Sequence, residues 1–261
     1  MSFETLKFER DGAIATITLS RADSPANALN AKMAEELFEV AVMCGDKDVR
    51  AVIFTAEGRM FCGGGDLAEM DASPDRPAHL RKMASLLHAA VSRLSHNDAP
   101  VVTAVNGTAG GGGFSLALAG DVILAAEGAK FVSAYTASGL TPDGSSTYFL
   151  AKHVGLLRAK ELVLTNRVLS APEAVDWGLA TRVVAAEDLA AEARKVAEGF
   201  AAGPTKAYGG AKRLLETAYR EGLESQMDRE TRSIAAMMET HDGPEGINAF
   251  LNKRAPAFRG E

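Results

Sequence analysis

The sequence predicts an α/β protein with a helical C-terminal region. Apolar, strand-like runs alternate with helix-like stretches as far as about residue 203, which is typical of a parallel sheet joined by helical crossovers. From residue 204 onwards the pattern is helical only. Hydrophobic residues make up 47% of the 261 residues, enough for a sizeable core. We therefore expect a core of residues 1–203 and a helical region of residues 204–261.

The first predicted elements are a hairpin and a helix. Two strand-like runs meet at Asp11 and Gly12, a dipeptide typical of tight hairpin turns. Asn30 has a side chain suited to capping a helix, and apolar residues follow it at helical spacing to about Met43. The sequence therefore predicts two paired strands followed by a helix over about 31–43.

The central elements alternate between buried strands and helices. Strand-like runs are "VRAVIFTAE" (49–57), "APVVTAVNG" (99–107) and "DVILAAE" (121–127). Between the first two, one helical face carries Leu80, Met83, Leu87, Ala90, Val91 and Leu94. The stretch 70–80 has no periodic pattern, and we expect a mobile loop there. Three helices are expected near the end, over about 205–220, 223–239 and 243–252.

Composition excludes several classes of function. The net charge of −6 gives no basic face for nucleic acid, and no apolar run reaches the roughly 18 residues that span a membrane. The N-terminus lacks the pattern of a signal peptide. The two cysteines, Cys44 and Cys62, have no metal-ligand spacing. These features predict a reduced, cytoplasmic protein without a metal site.

Two glycine-rich turns carry the functional signal. "VNGTAGGGGF" (105–114) follows one strand, and "GRMFCGGGDLAEM" (58–70) follows the strand before it. No Lys-Ser or Lys-Thr follows the glycines, so this is not a nucleotide-binding Walker loop, and the dinucleotide fingerprint is poor. Backbone N–H groups at two such turns could converge on one negatively charged oxygen. The pair predicts an oxyanion hole made of backbone.

These motifs resemble the crotonase, or enoyl-CoA hydratase/isomerase, superfamily. The resemblance extends from "SPANALNAKM" through "FCGGGDL", "AVNGTAGGGGFSLALAGD" and "GLTPDGSSTYF" to "AFLNKRAPAF". It implies the ClpP/crotonase spiral of ββα units, with a C-terminal helical region that forms a homotrimer or a dimer of trimers. It also implies an acyl-CoA thioester substrate and no cofactor beyond that coenzyme A.

The resemblance also implies roles for individual residues. The N–H groups of Gly65 and Gly112 would hold the thioester oxygen. Arg21, Lys253 and Arg254 are candidates for contacts to coenzyme A phosphates. The other expected substrate-binding residues are Ala26, Ala28, Cys62, Gly63, Asp66, Leu67, Gly111, Ser115, Tyr135 and Leu140.

The positions expected to hold acid and base depart from the hydratase pattern. Hydratases of this superfamily use two glutamates, and Ser115 and Tyr135 stand at those positions here. Asp143, in "LTPDG", instead matches the loop aspartate of isomerases of the 1,2-epoxyphenylacetyl-CoA and Δ3,Δ2-enoyl-CoA type. One carboxylate suffices for a 1,3-proton shift, so the resemblance favours an enoyl-CoA isomerase with Asp143 as base. Alternatively, Asp143 caps the helix that begins near Ser145.

Three other functions stay open at this stage. The first is a hydratase with a non-standard acid and base. The second is an aryl-CoA dehalogenase, in which Asp143 is the nucleophile and His88 the base. The third is an acyl-CoA-binding protein without catalysis. The role of Tyr135, as a wall of the pocket, a hydrogen-bond donor or a packing residue, is also open.

Overall fold

The computed structural model describes residues 3–261 as ten strands and eleven α-helices. The strands are β1 Leu6–Asp11, β2 Ile14–Leu19, β3 Ala51–Ala56, β4 Met60–Cys62, β5 Val101–Val105, β6 Thr108–Gly110, β7 Val122–Ala126, β8 Lys130–Val132, β9 Leu169–Ser170 and β10 Arg182–Val184. The helices are α1 Ala31–Met43, α2 Leu67–Ala72, α3 Arg76–His96, α4 Gly112–Leu118, α5 Ser146–Val154, α6 Leu156–Thr165, α7 Ala171–Asp176, α8 Leu189–Ala201, α9 Thr205–Thr217, α10 Leu223–Met237 and α11 Asp242–Leu251.

Successive ββα units build two sheets side by side. The larger sheet has the order β1-β2-β3-β5-β7-β10, and the smaller has the order β4-β6-β8-β9. Strands β3, β5 and β7 each enter the larger sheet, and the short strand that follows each of them enters the smaller one. Neighbours among these strands run parallel. The repeated step from one sheet to the other produces the predicted spiral.

The predicted early elements are confirmed. Strands β1 and β2 pair antiparallel, with Asp11 opposite Ile14 across the turn. The Asn30 side chain accepts a hydrogen bond from the Met33 N–H at 2.8 Å and caps α1. The apolar face of α1 then packs into the core, with Met33 and Val40 fully buried. Here local signals and tertiary burial agree.

The prediction of a mobile loop over 70–80 is wrong. Helix α2 ends at Ala72, and α3 already begins at Arg76. The Asp75 side chain accepts from the Ala78 N–H at 3.0 Å, and a proline occupies the first turn, where its missing N–H costs nothing. The first turn of α3 is polar and exposed, so apolar periodicity did not reveal it, although its capping signal was present.

The C-terminal helices are confirmed and are tied to the spiral by partly buried polar contacts. Arg50 donates to the carbonyl oxygens of Gly203 and Phe258 at 2.7 and 3.2 Å. Lys212 on α9 lies 2.7 Å from the carboxylate of Asp121 at the start of β7. Helix α10 has no buried residue. Within residues 3–261 no helix has the length and apolar character needed to cross a bilayer.

Candidate active site

The first glycine turn is held by the segment that precedes α1. The Gly63 N–H donates to the Ala26 carbonyl at 2.8 Å, and the Leu29 N–H donates to the Gly64 carbonyl at 2.7 Å. The Asp66 N–H in turn donates to the Leu29 carbonyl at 2.7 Å. Gly65 lies between these bonded peptides, and its own N–H has no acceptor within residues 3–261. The turn therefore presents one rigidly placed, unpaired amide.

The second glycine turn lies against the first. Gly111 has φ +50° and precedes α4, and its N–H is bound to the Val132 carbonyl at 3.1 Å. The next N–H, that of Gly112, has no acceptor among the described residues. Gly64 has φ +107°, and a methyl group on it would lie 3.6 Å from the Gly112 nitrogen and 3.2 Å from the Gly110 carbonyl oxygen. Only glycine permits this backbone conformation and this close approach.

Both unpaired amides border one cavity of about 330 Å³. Most of its walls are apolar, and α3 supplies Leu80, Met83, Ala84 and Leu87. The sequence pattern marked three of these residues, all but Ala84, as a helical face, and the structure shows that this part of the face lines a cavity as well as the core. Further lining residues that sequence reasoning did not single out are Leu29, Met70, Arg81, Ala134, Ser138 and Thr141.

Asp143 brings a carboxylate to this cavity. It lies in the loop before α5, and its Oδ1 is 2.7 Å from Nε2 of His88 on α3. The side chains of Asp143 and His88 are 41% and 50% exposed. The alternative that Asp143 caps α5 is not supported, because Ser145 precedes that helix with φ +73° and no side chain caps it. The aspartate side chain thus points to a histidine instead of a helix end.

The His88 ring allows two positions for one proton. Its Nε2 faces both Oδ1 of Asp143 and, at 3.3 Å, the N–H of Gly144. A ring nitrogen either donates or accepts. When Nε2 carries a proton it donates to an ionised Asp143. When Nε2 is bare it accepts from a protonated Asp143 or from Gly144. The pair can therefore take up a proton at the carboxylate and share it with the imidazole.

Hydroxyl groups occupy the two positions at which the resemblance places the glutamates of hydratases. Ser115 Oγ donates to the backbone carbonyl of Asp143 at 2.7 Å and lies 2.8 Å from the Tyr135 hydroxyl. Burial, supported by the nearby Asp143 charge, raises the pKa of Tyr135 to about 12, so its phenol stays neutral. The cavity lining therefore holds Asp143 as its one carboxylate among the residues that the structure describes.

The predicted site residues divide into cavity wall and support. Those that line the cavity are Gly63, Gly65, Leu67, Gly111, Gly112, Tyr135, Leu140 and Asp143. Cys62 and Ser115 have no exposed surface, so they lie behind the wall. Burial also raises the pKa of the Cys62 thiol to about 12, which keeps it protonated. The Ala26 carbonyl accepts from the first turn directly, and the Ala28 carbonyl accepts from Arg21.

Asp66 and Arg21 also support that turn. The Asp66 side chain caps α2 by accepting from the Glu69 N–H at 3.1 Å. Its other oxygen lies 2.7 Å from Arg21, whose side chain is only 8% exposed. Arg21 also donates to the Ala28 carbonyl at 2.8 Å and pairs with Asp23. The structure therefore uses Arg21 to join the segment before α1 to the first glycine turn.

The other two candidates for coenzyme A phosphate contacts lie in the C-terminal region. Arg254 makes two hydrogen bonds to the Glu245 carboxylate, at 2.6 and 2.7 Å. Lys253 follows Asn252, the residue that caps the C-terminal end of α11, and has φ +54°. Like Arg21, neither residue lines the cavity. A phosphate role for these three residues stays a prediction.

A spiral of ββα units whose two glycine turns open on one apolar cavity defines an enzyme of the crotonase fold. A family model described as enoyl-CoA hydratase/isomerase matches residues 9–261. The chain therefore belongs to the enoyl-CoA hydratase/isomerase family, whose members act on acyl-CoA thioesters.

Relatives with three different activities match nearly the whole chain. The 1,2-epoxyphenylacetyl-CoA isomerase of Escherichia coli K12 is 37% identical over 95% of both chains. A 4-chlorobenzoyl coenzyme A dehalogenase of an Arthrobacter species is 33% identical, over 95% of this chain and 91% of that protein. The crystal structure of an enoyl-CoA hydratase from Polaromonas sp. JS666 has a TM-score of 0.91 and 33% identity, covering 97% and 99% of the two chains.

Proposed function

We propose that the protein is an enoyl-CoA isomerase that moves a carbon–carbon double bond by a 1,3-proton shift. The observation that carries this proposal is that, within residues 3–261, Asp143 is the one carboxylate lining the cavity that Gly65 and Gly112, whose N–H groups have no acceptor there, also line. Addition of water is catalysed best by two acid–base side chains, one that activates the water and one that delivers a proton to the substrate. A proton shift needs only one side chain, which removes a proton and returns it. The isomerase name of the E. coli relative agrees with this choice.

In this proposal the reaction passes through a thioester enolate. Asp143 removes a proton from Cα of a 3-enoyl thioester, and the electron pair moves onto the thioester oxygen. The amides of Gly65 and Gly112 stabilise that oxygen more strongly as its charge grows, so they favour the transition state over the substrate. Protonation at Cγ then places the double bond between Cα and Cβ. His88, 2.7 Å from the carboxylate, orients it and shares the proton while the enolate exists.

The substrate class follows from the cavity walls. Leu80, Met83 and Leu87 of α3, with Leu67 and Leu140, offer apolar surface to the acyl group. We therefore propose an apolar acyl chain or an aryl group, attached to coenzyme A, as the substrate. Coenzyme A enters as part of that thioester, and the proton shift requires no separate cofactor.

The test is isomerisation of a 3-enoyl-CoA thioester, followed as the rise of the conjugated 2-enoyl thioester absorbance. Asp143→Asn should lower kcat by about 10²–10⁴ because general-base catalysis is lost, while binding of a non-reacting acyl-CoA is kept. Asp176→Asn is the matched control, since Asp176 is an exposed carboxylate on α7, and it should act like the wild type. Full activity in Asp143→Asn would remove Asp143 from the mechanism. If the protein instead removes the conjugated absorbance of an added 2-enoyl-CoA, the activity is that of a hydratase.

A second candidate, an aryl-CoA dehalogenase, is favoured by the contact between His88 and Asp143 and by the name of the Arthrobacter relative. Asp143 would attack the ring carbon that bears the halogen, halide would leave, and water activated by His88 would hydrolyse the resulting ester. Release of chloride from 4-chlorobenzoyl-CoA, abolished in Asp143→Asn, would establish this function in place of the isomerase.

We also propose that the protein assembles as a homotrimer or a dimer of trimers through its C-terminal helices. Leu223, Met227, Ile234 and Met238 lie at helical spacing on and just after α10, and all are exposed, Ile234 by 71%. An apolar stripe of this kind is stabilised when a second copy covers it. Sedimentation should give three or six copies for the wild type and fewer for Ile234→Asp; a monomeric wild type would contradict the proposal.

A further inference from the structure

The backbone carbonyl of Asp143 receives an unusual concentration of donors. Ser115 Oγ lies 2.7 Å from it, Ser146 Oγ 2.9 Å, the Tyr135 hydroxyl 3.1 Å and the Ser146 N–H 3.2 Å. A carbonyl oxygen has two lone pairs, so four donors exceed what it can bind well at one time. A loop that only joined two elements would not need this. The position of the Asp143 peptide is therefore specified far more tightly than connectivity requires.

Two of these donors form a chain that reaches the loop from the core. Ser115 is completely buried on α4, one turn after Gly112, and its Oγ is 2.8 Å from the Tyr135 hydroxyl. One arrangement uses both protons: the Tyr135 hydroxyl donates to Ser115 Oγ, which donates to the Asp143 carbonyl. The chain then fixes the Asp143 peptide relative to α4, the helix whose first residue supplies an oxyanion amide.

Packing also holds the Asp143 loop against α4. Gly144 has φ +62°, and a methyl group on it would lie 2.9 Å from Cβ of Ser115. The loop thus packs directly on Ser115, and the peptide after Asp143 has no room to shift towards α4. A general base must lie within hydrogen-bond reach of the group that it deprotonates, about 2.6–3.2 Å between heavy atoms, and misplacement by about 1 Å can cost about two orders of magnitude in rate.

From these contacts we infer that Ser115 and Tyr135 are positioning residues that set the place of the Asp143 carboxylate relative to the oxyanion amides. The hydroxyls lie at the two positions at which the resemblance places the glutamates of hydratases, and we assign them support of the base instead of proton transfer. This inference rests on the proposed isomerase mechanism for its kinetic consequences. Its structural part, that the two hydroxyls hold the Asp143 loop against His88, stands separately.

The kinetic test is a comparison in two backgrounds. Ser115→Ala and Tyr135→Phe should each lower kcat for 3-enoyl-CoA about tenfold with little change in KM. Tyr208→Phe is the control, because Tyr208 packs on Phe200 and does not line the cavity; it should change neither kcat nor KM. In the Asp143→Asn background the same two substitutions should cost nothing further, because residues that act through a common group are not additive. Equal losses in both backgrounds would overturn the inference, since Ser115 and Tyr135 would then act on the substrate or the fold.

A spectroscopic test does not depend on the reaction. The chain has five histidines, and comparison with His88→Gln identifies the imidazole signals of His88 by NMR. In Tyr135→Phe and Ser115→Ala these signals should move towards their positions in Asp143→Asn, because the carboxylate is no longer held beside the ring. Unchanged His88 signals would overturn the inference. If the wild type isomerises no thioester while the signals move as expected, the proposed function fails and the positioning role is kept.

Discussion

Gly64 offers a direct test of the oxyanion arrangement, because its conformation determines where the Gly65 N–H points. Its φ of +107° is about 50° from the left-handed well near +57°, which is the nearest conformation that an L-residue adopts. Gly64→Ala therefore forces rotation about φ or stores strain of about 1–3 kcal/mol. The new methyl group would also lie 3.2 Å from the Gly110 carbonyl oxygen. Both effects push the two glycine turns apart.

The expected result for Gly64→Ala is a large loss of activity with a modest loss of stability. Turning the Gly65 peptide removes one oxyanion donor, which is worth about 3 kcal/mol in the transition state, so kcat should fall about 10²–10³-fold. Gly58→Ala is the matched control: Gly58 also has positive φ, +82°, but a methyl group there meets nothing within 4 Å. It should lose stability and keep its kcat.

The assay for both variants is 3-enoyl-CoA isomerisation at saturating substrate, with thermal unfolding measured in parallel. Exchange of α-protons in deuterated water provides a second measurement of enolate formation. The reasoning is refuted if Gly64→Ala unfolds at a lower temperature but turns over like Gly58→Ala. That outcome would mean that the Gly65 amide does not contact the reacting oxygen.

Two further predictions concern the support of the fold. Burial raises the pKa of Glu36, but hydrogen bonds from Thr5 and from two backbone N–H groups outweigh it, so the net pKa is lowered. A lowered pKa contributes stability that is fully present above the unfolded value and is lost as pH falls through the folded one. Urea unfolding of Glu36→Gln should therefore show lower stability at pH 7 and a flatter decline of stability below about pH 4.3; an unchanged acid profile would contradict this. Lys212→Met removes the ammonium group that lies 2.7 Å from the solvent-accessible Asp121 carboxylate, and should cost about 1 kcal/mol at pH 7. The double variant with Asp121→Asn should recover part of that loss in the same unfolding experiment, and no recovery would show that Lys212 acts otherwise.

Much of the fold could be predicted because its signals are local. The Asp11-Gly12 turn and the Asn30 cap each depend on a few neighbouring residues, and both occur where predicted. The start of α3 was missed for the opposite reason: its first turn is exposed, so Asp75 and the proline that follows indicated the helix without an apolar pattern. At the start of α3, the capping signal indicated the helix correctly and the apolar periodicity did not.

The site was predictable only in part. The two glycine-rich turns are visible in the sequence, and Gly65 and Gly112 were chosen within them by resemblance; their N–H groups have no acceptor among the described residues. The cavity wall on α3 could not be distinguished from core, since Leu80 and Leu87 are apolar in either role. Ser115 was expected to contact the substrate, but the structure buries it completely behind the wall.

The sequence by itself predicted the first hairpin, α1, the strands β3, β5 and β7, the three C-terminal helices and the two glycine turns, and by resemblance the hydroxyl groups at the positions of the hydratase glutamates. Only the tertiary structure decided that Asp143 meets His88, 55 residues away, and that Ser115 and Tyr135 hold its loop. The physical reason is that a turn or a cap is stabilised by neighbours along the chain. The partner of a carboxylate, in contrast, depends on how α3, α4 and the loop before α5 stack, and no local pattern records that stacking.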